Sequence, residues 1–225
     1  MLCGVVTDII TIPDLAPTLM ELAGLPLHDQ MTGSSFVNQL LADGSGRIDS
    51  KRNHTLLGKE RHDIGRTDGD LLSVAYPARA IRNDEFLYVR NFEPQRWPIG
   101  NPEYGYLNCD GSPTKTFLTE LSRSDADYRF FELAFGKRSA EELYDMTSDP
   151  DCVHNLAADP KYADTKARLW AQLTEELTAQ GDPRILGNGQ IFDFYPNCRV
   201  ARQQKLYGKP EYDPVQLFED KFGSE

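Results

Sequence analysis

Apolar residues recur at helical spacing near both ends of this 225-residue chain, and β-rich runs lie between them. Leu15, Leu19, Leu22 and Ala23 fall on one helical face, which predicts a helix over residues 14–23. Asp14 is read as its N-cap, Pro17 is tolerated near the start, and Gly24 suits the position just past the end. A short amphipathic helix from about Ser34 would turn Phe36, Val37, Leu40 and Leu41 inward. Residues 42–53 are polar and Gly-rich and read as a loop.

Residues 54–58 read as a strand. Residues 78–82 and 85–91 read as a hairpin turning at Asn83 and Asp84, with Ile81, Phe86, Tyr88 and Val89 as its apolar material. Residues 92–116 are rich in Pro, Gly and Asn and read as a long loop. A helix is expected over 119–135, anchored by Leu121, Tyr128, Phe131 and Leu133, and a short strand over 142–145. The strongest helical pattern is 162–180, with Ala167, Leu169, Leu173 and Leu177 on its apolar face and Gly181 ending it. Beyond Asp182 and Pro183 periodicity is lost, though Phe192, Phe194, Tyr195, Tyr207, Tyr212 and Phe218 recur. The order predicts an α+β fold: a small antiparallel sheet of about four strands packed against the late helix. The first helix has too little chain before it to cover its apolar face, which points to further chain upstream.

Composition adds modest constraints. Apolar residues make up 40% and charged residues 26%, as in ordinary globular domains. No apolar run approaches the ~20 residues needed to span a bilayer. The net charge of −11 argues against nucleic acid or an anionic membrane as partner. A local basic pocket for an anionic substrate stays compatible with it. Cys3, Cys109, Cys152 and Cys198 are widely spaced without a CxxC, and read as buried thiols, with one bridge through Cys198 as the alternative.

Several segments resemble the sulfatases of the alkaline-phosphatase-like superfamily. The first is V-T-D-x-x-x-x-x-D-L-A-P-T-L-x-E-L-A-G, from Val6 to Gly24, followed by M-T-G-S-S-F from Met31 to Phe36. The second is E-L-Y-D-M-x-x-D-P-x-x-x-x-N-L-A, carrying Glu142, Asp145, Asp149, Pro150 and Asn155. Between them, residues 76–82 and 87–91 are similar to the heparan N-sulfatase (sulfamidase) branch. The resemblance covers residues 5–183. It implies that residues 1–53 end an α/β core, that 54–183 form a C-terminal subdomain with an antiparallel sheet and helix, and that 184–225 are an irregular tail.

The resemblance further implies hydrolysis of a sulfate ester or N-sulfate on a sugar. The family uses a formylglycine made from the Cys of C-x-P-S-R, and calcium. None of the four cysteines stands in that context, and no D-D or D-N-G pair is present. No catalytic residue and no metal ligand is therefore assigned here. Calcium and the nucleophile are expected of the complete enzyme, in an N-terminal core outside this chain. The dense polar run 59–66 is the candidate for substrate binding. Arg61 or Arg66 would fork onto sulfate oxygens, His62 would donate to the substrate, and Glu60 would take sugar hydroxyls or orient His62. The alternative for that run is a solvated charged turn. Alternatives for the whole chain are a glycan-binding or structural module without catalysis, or part of a related phosphatase or phosphonate hydrolase.

Overall fold

The computed structural model describes residues 4–62, 64–195 and positions 199, 202, 204, 205, 208 and 216. Cys3, Asp63, Cys198, Tyr207, Tyr212 and Phe218 lie outside the described residues.

A single 3-10 turn, Ile12–Asp14, runs into α1, Leu15–Leu22, and a one-turn helix α2 follows at Val37–Leu40. Polar bonds, more than apolar packing, stitch this N-terminal stretch together. Asp8 accepts from the N–H groups of Ile48 and Asp49 at 2.7 and 2.8 Å and from Gln39 Nε2 at 3.0 Å. Asp14 accepts from Ser34 N at 2.8 Å, Thr11 N at 3.0 Å and Arg52 Nη1 at 3.0 Å. The Asp14 carboxylate thus closes the 3-10 turn behind it and ties in two later loops. It does not cap α1, contrary to the sequence expectation. The buried members of α1 are Pro17 and Thr18, while Leu15, Leu19 and Leu22 are 47%, 65% and 56% exposed. Leu40 and Leu41 also face outward, and Val37 alone of the expected apolar set in this region is fully inside.

The sheet has four antiparallel strands. Along the chain these are β1, His54–Lys59; then a small separate hairpin of β2, Thr67–Asp68, and β3, Leu71–Leu72; then β4, Ala78–Asn83; β5, Phe86–Asn91; and β6, Glu141–Asp145. The spatial order is β1-β4-β5-β6. Register places Leu56 opposite Ile81, Ile81 opposite Tyr88, and Tyr88 opposite Leu143. Side chains alternate between faces along a strand, so this row lies on one face. The turn between β4 and β5 is set by Asn83, whose Oδ1 accepts from the N–H groups of Glu85 and Phe86.

Two helices interrupt the path from β5 to β6: α3, Pro113–Glu120, and α4, Tyr128–Phe135. The single helix expected over 119–135 is thus broken. The Ser122 N–H and hydroxyl both donate to Asp125 Oδ2, a local turn that outcompetes the helix. The long helix α5, Ala163–Ala179, lies across the row on the sheet. Its residues Leu169, Leu173 and Leu177, four apart, form the core with Ile81, Tyr88 and Leu143. Ala167 faces solvent, a correction to the expected face. Gly181 takes φ 72 just past the helix end, and Asp182 N returns to Leu177 O at 2.9 Å.

The late sequence signature is accounted for by turn chemistry. Asp145 Oδ1 accepts from Thr147 N and Ser148 N, and Asp149 accepts from Val153 N and His154 N. Asn155 Oδ1 then accepts from Leu143 N and Ala157 N, docking the following turn on the outer edge of β6. Leu156 N completes the attachment to Leu143 O at 2.8 Å. Asp145, Asp149 and Asn155 of the motif fix backbone, Glu142 instead accepts from the side chains of Asn91 and Tyr144, and the edge strand is covered.

Candidate functional site

The polar run begins where β1 ends. Gly58 stands opposite Arg79, and a Cβ there would meet Arg79 Cδ at 3.4 Å. The small residue lets the Arg79 side chain lie across β1. Arg79 then donates to Lys59 O at 3.2 Å and Ala78 O at 2.9 Å and pairs with Glu60 Oε1 and Asp182 Oδ2, each at 2.8 Å. Arg184 reaches the other Glu60 oxygen at 2.7 Å. Its guanidinium lies 5.7 Å over the Phe192 ring, and Gly189 leaves room for it, since a Cβ would fall 2.4 Å from Arg184 Nε. Two carboxylates and two guanidinium groups therefore alternate as Asp182, Arg79, Glu60, Arg184. Opposite charges this close and this little exposed compensate one another's lost hydration.

Arg61 points toward the same late segment. Its Nη2 donates to Tyr195 O at 2.6 Å and its Nη1 to Asp193 O at 3.5 Å. Asp193 is buried, accepting from Ala75 N at 2.6 Å and from Arg96 Nη1 at 2.9 Å. His62 is exposed. The structure thus brings Glu60 and Arg61 to residues 182–195 and leaves His62 toward solvent.

Arg66 is placed differently. It is 0% exposed and donates to the carbonyl oxygens of Trp97, Val74 and Pro98 and to Asn108 Oδ1. Its guanidinium also sits 5.5 Å over the Tyr76 ring. Burial, then the Glu142 charge, push the Tyr76 phenol up to about 12. Buried carbonyls need donors, and an arginine fork supplies several at once. Arg66 therefore fastens the loop 97–108 and is wholly buried, where the sequence reading expected it to meet a sulfate. The loop comes close because Gly100, at φ 94, meets Gly65: a Cβ on Gly100 would fall 2.6 Å from Gly65 O.

Among the described residues no group of three or more His, Cys, Asp or Glu is placed to hold a metal ion. Calcium takes roughly 6–8 oxygen ligands. Asp8, Asp14 and Asp193 have theirs engaged by N–H donors and arginines. The described residues do not fit a calcium site. No described helix is long and apolar enough to cross a membrane.

Sequence reasoning named Glu60 and Arg61 but did not reach the partners that hold them. Arg184 lies 124 positions from Glu60, and no spacing signal marks a pairing of that length.

No family model matches the chain. An ulvan-active sulfatase of Formosa agariphila is 31% identical over 179 residues, covering 79% of this chain and 30% of that protein. The human N-sulphoglucosamine sulphohydrolase is 23% identical over 215 residues, covering 87% of this chain and 38% of that protein. Among solved structures, a putative sulfatase from Bacteroides thetaiotaomicron aligns with TM-score 0.45 and 23% identity, over 76% of this chain and 25% of that one. The chain spans 30% to 38% of the length of these two curated relatives. By sequence, the chain is a homologue of the sulfatases, matched over a part of their length.

Proposed function

We propose that this chain is the sheet-bearing part of a sulfatase that cleaves a sulfate ester or N-sulfate on a sugar. Glu60, Arg61 and His62 would stand at the edge of its substrate pocket, with Arg66 holding the loop behind them. The observation that carries the reading is the 31% identity to an ulvan-active sulfatase over 79% of the chain. A sulfate group is anionic, and attack on it develops further negative charge. That calls for a strong nucleophile, a cation and basic groups aimed at the oxygens. Residues 1–225 hold no C-x-P-S-R segment. In this reading the nucleophile and the calcium belong to a catalytic core beyond these residues. The outward leucines of α1 support it, because they form an apolar face suited to packing on such a core.

Two measurements test the proposal. The 225-residue chain alone should show no turnover of 4-methylumbelliferyl sulfate. The genomic reading frame upstream of Met1 should encode C-x-P-S-R. Turnover by the chain alone, or a stop codon in frame close upstream, overturns the reading.

A further inference from the structure

We propose that the cleft between the Pro102–Tyr104 turn and the α3–α4 pair binds an anionic sugar ring, as a saccharide subsite apart from Glu60, Arg61 and His62. It shares no lining residue with them, and the inference stands on the cleft's own lining. The cleft encloses about 510 Å³, within the size range of small-molecule sites.

Its walls combine two chemistries. One is aromatic. Tyr128 stacks on Phe131 with centroids 5.1 Å apart and planes 25° apart, and Tyr106 meets Phe131 edge-on at 6.1 Å. The Tyr106 backbone takes φ 53, a conformation that non-glycine residues hold only where the surroundings impose it. Its ring is thereby fixed inside the cleft wall, also 4.8 Å from Phe135. Tyr106 is buried against these rings, so the partly exposed Tyr128 and Phe131 are the ones left to take the C–H face of a pyranose ring.

The other chemistry is cationic. Lys115 Nζ donates to Tyr106 O at 3.0 Å and Cys109 O at 2.7 Å. Both partners are neutral carbonyls, and Lys115 has no ion pair among the described residues; the Glu103 carboxylate on the facing turn acts on the Tyr106 phenol instead. Arg123, also lining the cleft, is exposed and has no ion pair among the described residues. The nearby Asp125 is turned onto Ser122 N and Oγ at 2.6 and 3.0 Å. A guanidinium free to fork, next to an aromatic stack, matches a ring bearing a sulfate or a carboxylate. Thr119, on the same wall, donates its hydroxyl proton to Lys115 O at 2.9 Å and so presents an acceptor to a sugar hydroxyl. On a chain of net charge −11, two cations facing one cleft select for an anion locally.

The test is an NMR titration of the isotope-labelled 225-residue chain with glucose 6-sulfate, glucuronate, glucose and inorganic sulfate. The first two separate a sulfated ring from a carboxylated one. Either should shift resonances within residues 102–131, and Arg123→Ala should weaken that response at least tenfold. Thr119→Ala, on the exposed face of α3, gives a second variant that keeps the fold. Glucose should give a much weaker response. Shifts confined to residues 60–62, no shifts at all, or an equal response to inorganic sulfate overturn the sugar subsite. The readout is binding without turnover, so the result does not depend on whether the sulfatase reading holds.

Discussion

Arg184 closes on Glu60 through two nitrogen atoms, Nη2 at 2.7 Å from Oε2 and Nε at 3.2 Å from Oε1. This pair binds the segment after α5 to the end of β1, and Arg79 completes it from the neighbouring strand. Glu60→Gln keeps the shape but removes the charge shared by both guanidinium groups. Breaking a buried pair leaves an uncompensated ion, so we expect a loss of about 3 kcal/mol. Urea unfolding followed by circular dichroism measures it. An unchanged midpoint would show that the network is solvated in solution.

Arg66 is expected to act on the loop 97–108 and not on a ligand. Arg66→Met keeps much of the volume but leaves the carbonyls of Trp97, Val74 and Pro98 without that donor. We expect about 3 kcal/mol of destabilisation and faster proteolytic cleavage within 97–108. Limited proteolysis with mapped cut sites reads both. A resistant loop in the variant would refute the anchoring role.

Leu173 is fully buried at the middle of the α5 stripe. Leu173→Ala should cost about 3 kcal/mol, the sum of lost transfer energy and the cavity left behind. The outward Ala167 provides the contrast: Ala167→Ser should move the unfolding midpoint hardly at all.

How much of this was legible in the sequence varies by element. The β4–β5 hairpin was readable because Asn83 both permits the turn and bonds its backbone. Helix α5 was readable because three leucines four apart have one stable place to go, against a sheet. The break between α3 and α4 was missed, although Ser122 three residues before Asp125 is a local turn signal. There the apolar anchors Leu121, Tyr128 and Phe131 suggested one continuous helix. At the site, Glu60 and Arg61 stood out by charge density. Charge density alone could not separate Arg61, on the late segment, from Arg66, which is sealed inside.

Acid stability should depend on Asp149. The His154 N–H bond is the main influence that holds its carboxyl below the ordinary range, and Val153 N adds to it against burial. A carboxyl depressed in the folded state stabilises above its unfolded pKa of about 3.9. That contribution disappears as pH falls through the lower folded value. Asp149→Asn should therefore lower stability at neutral pH and flatten its decline below about pH 4. Thermal unfolding from pH 7 to pH 2 checks the shape, and parallel curves for the two proteins would refute the assignment.

The apolar face of α1 should govern solution behaviour. Leu19 is 65% exposed, so Leu19→Lys removes sticky surface without opening the core. We expect stability unchanged within about 0.5 kcal/mol and less self-association by light scattering. A large loss of stability would place Leu19 in a packed environment instead.

The excursion over residues 92–139 leaves and rejoins the sheet at one spot. Asn91 N donates to Ala140 O at 2.8 Å, and Asn91 Nδ2 donates to Ser139 O at 2.7 Å. Strands β5 and β6 are thus already stapled together at the exit point, as if a tight bend joined them. The alignment of the two strands is accordingly fixed at the exit point itself and not by the length of the detour. The detour's first half is bound to the rest of the molecule through Arg66 and Arg96, so a change of length is best borne by the exposed turn at residues 122–127.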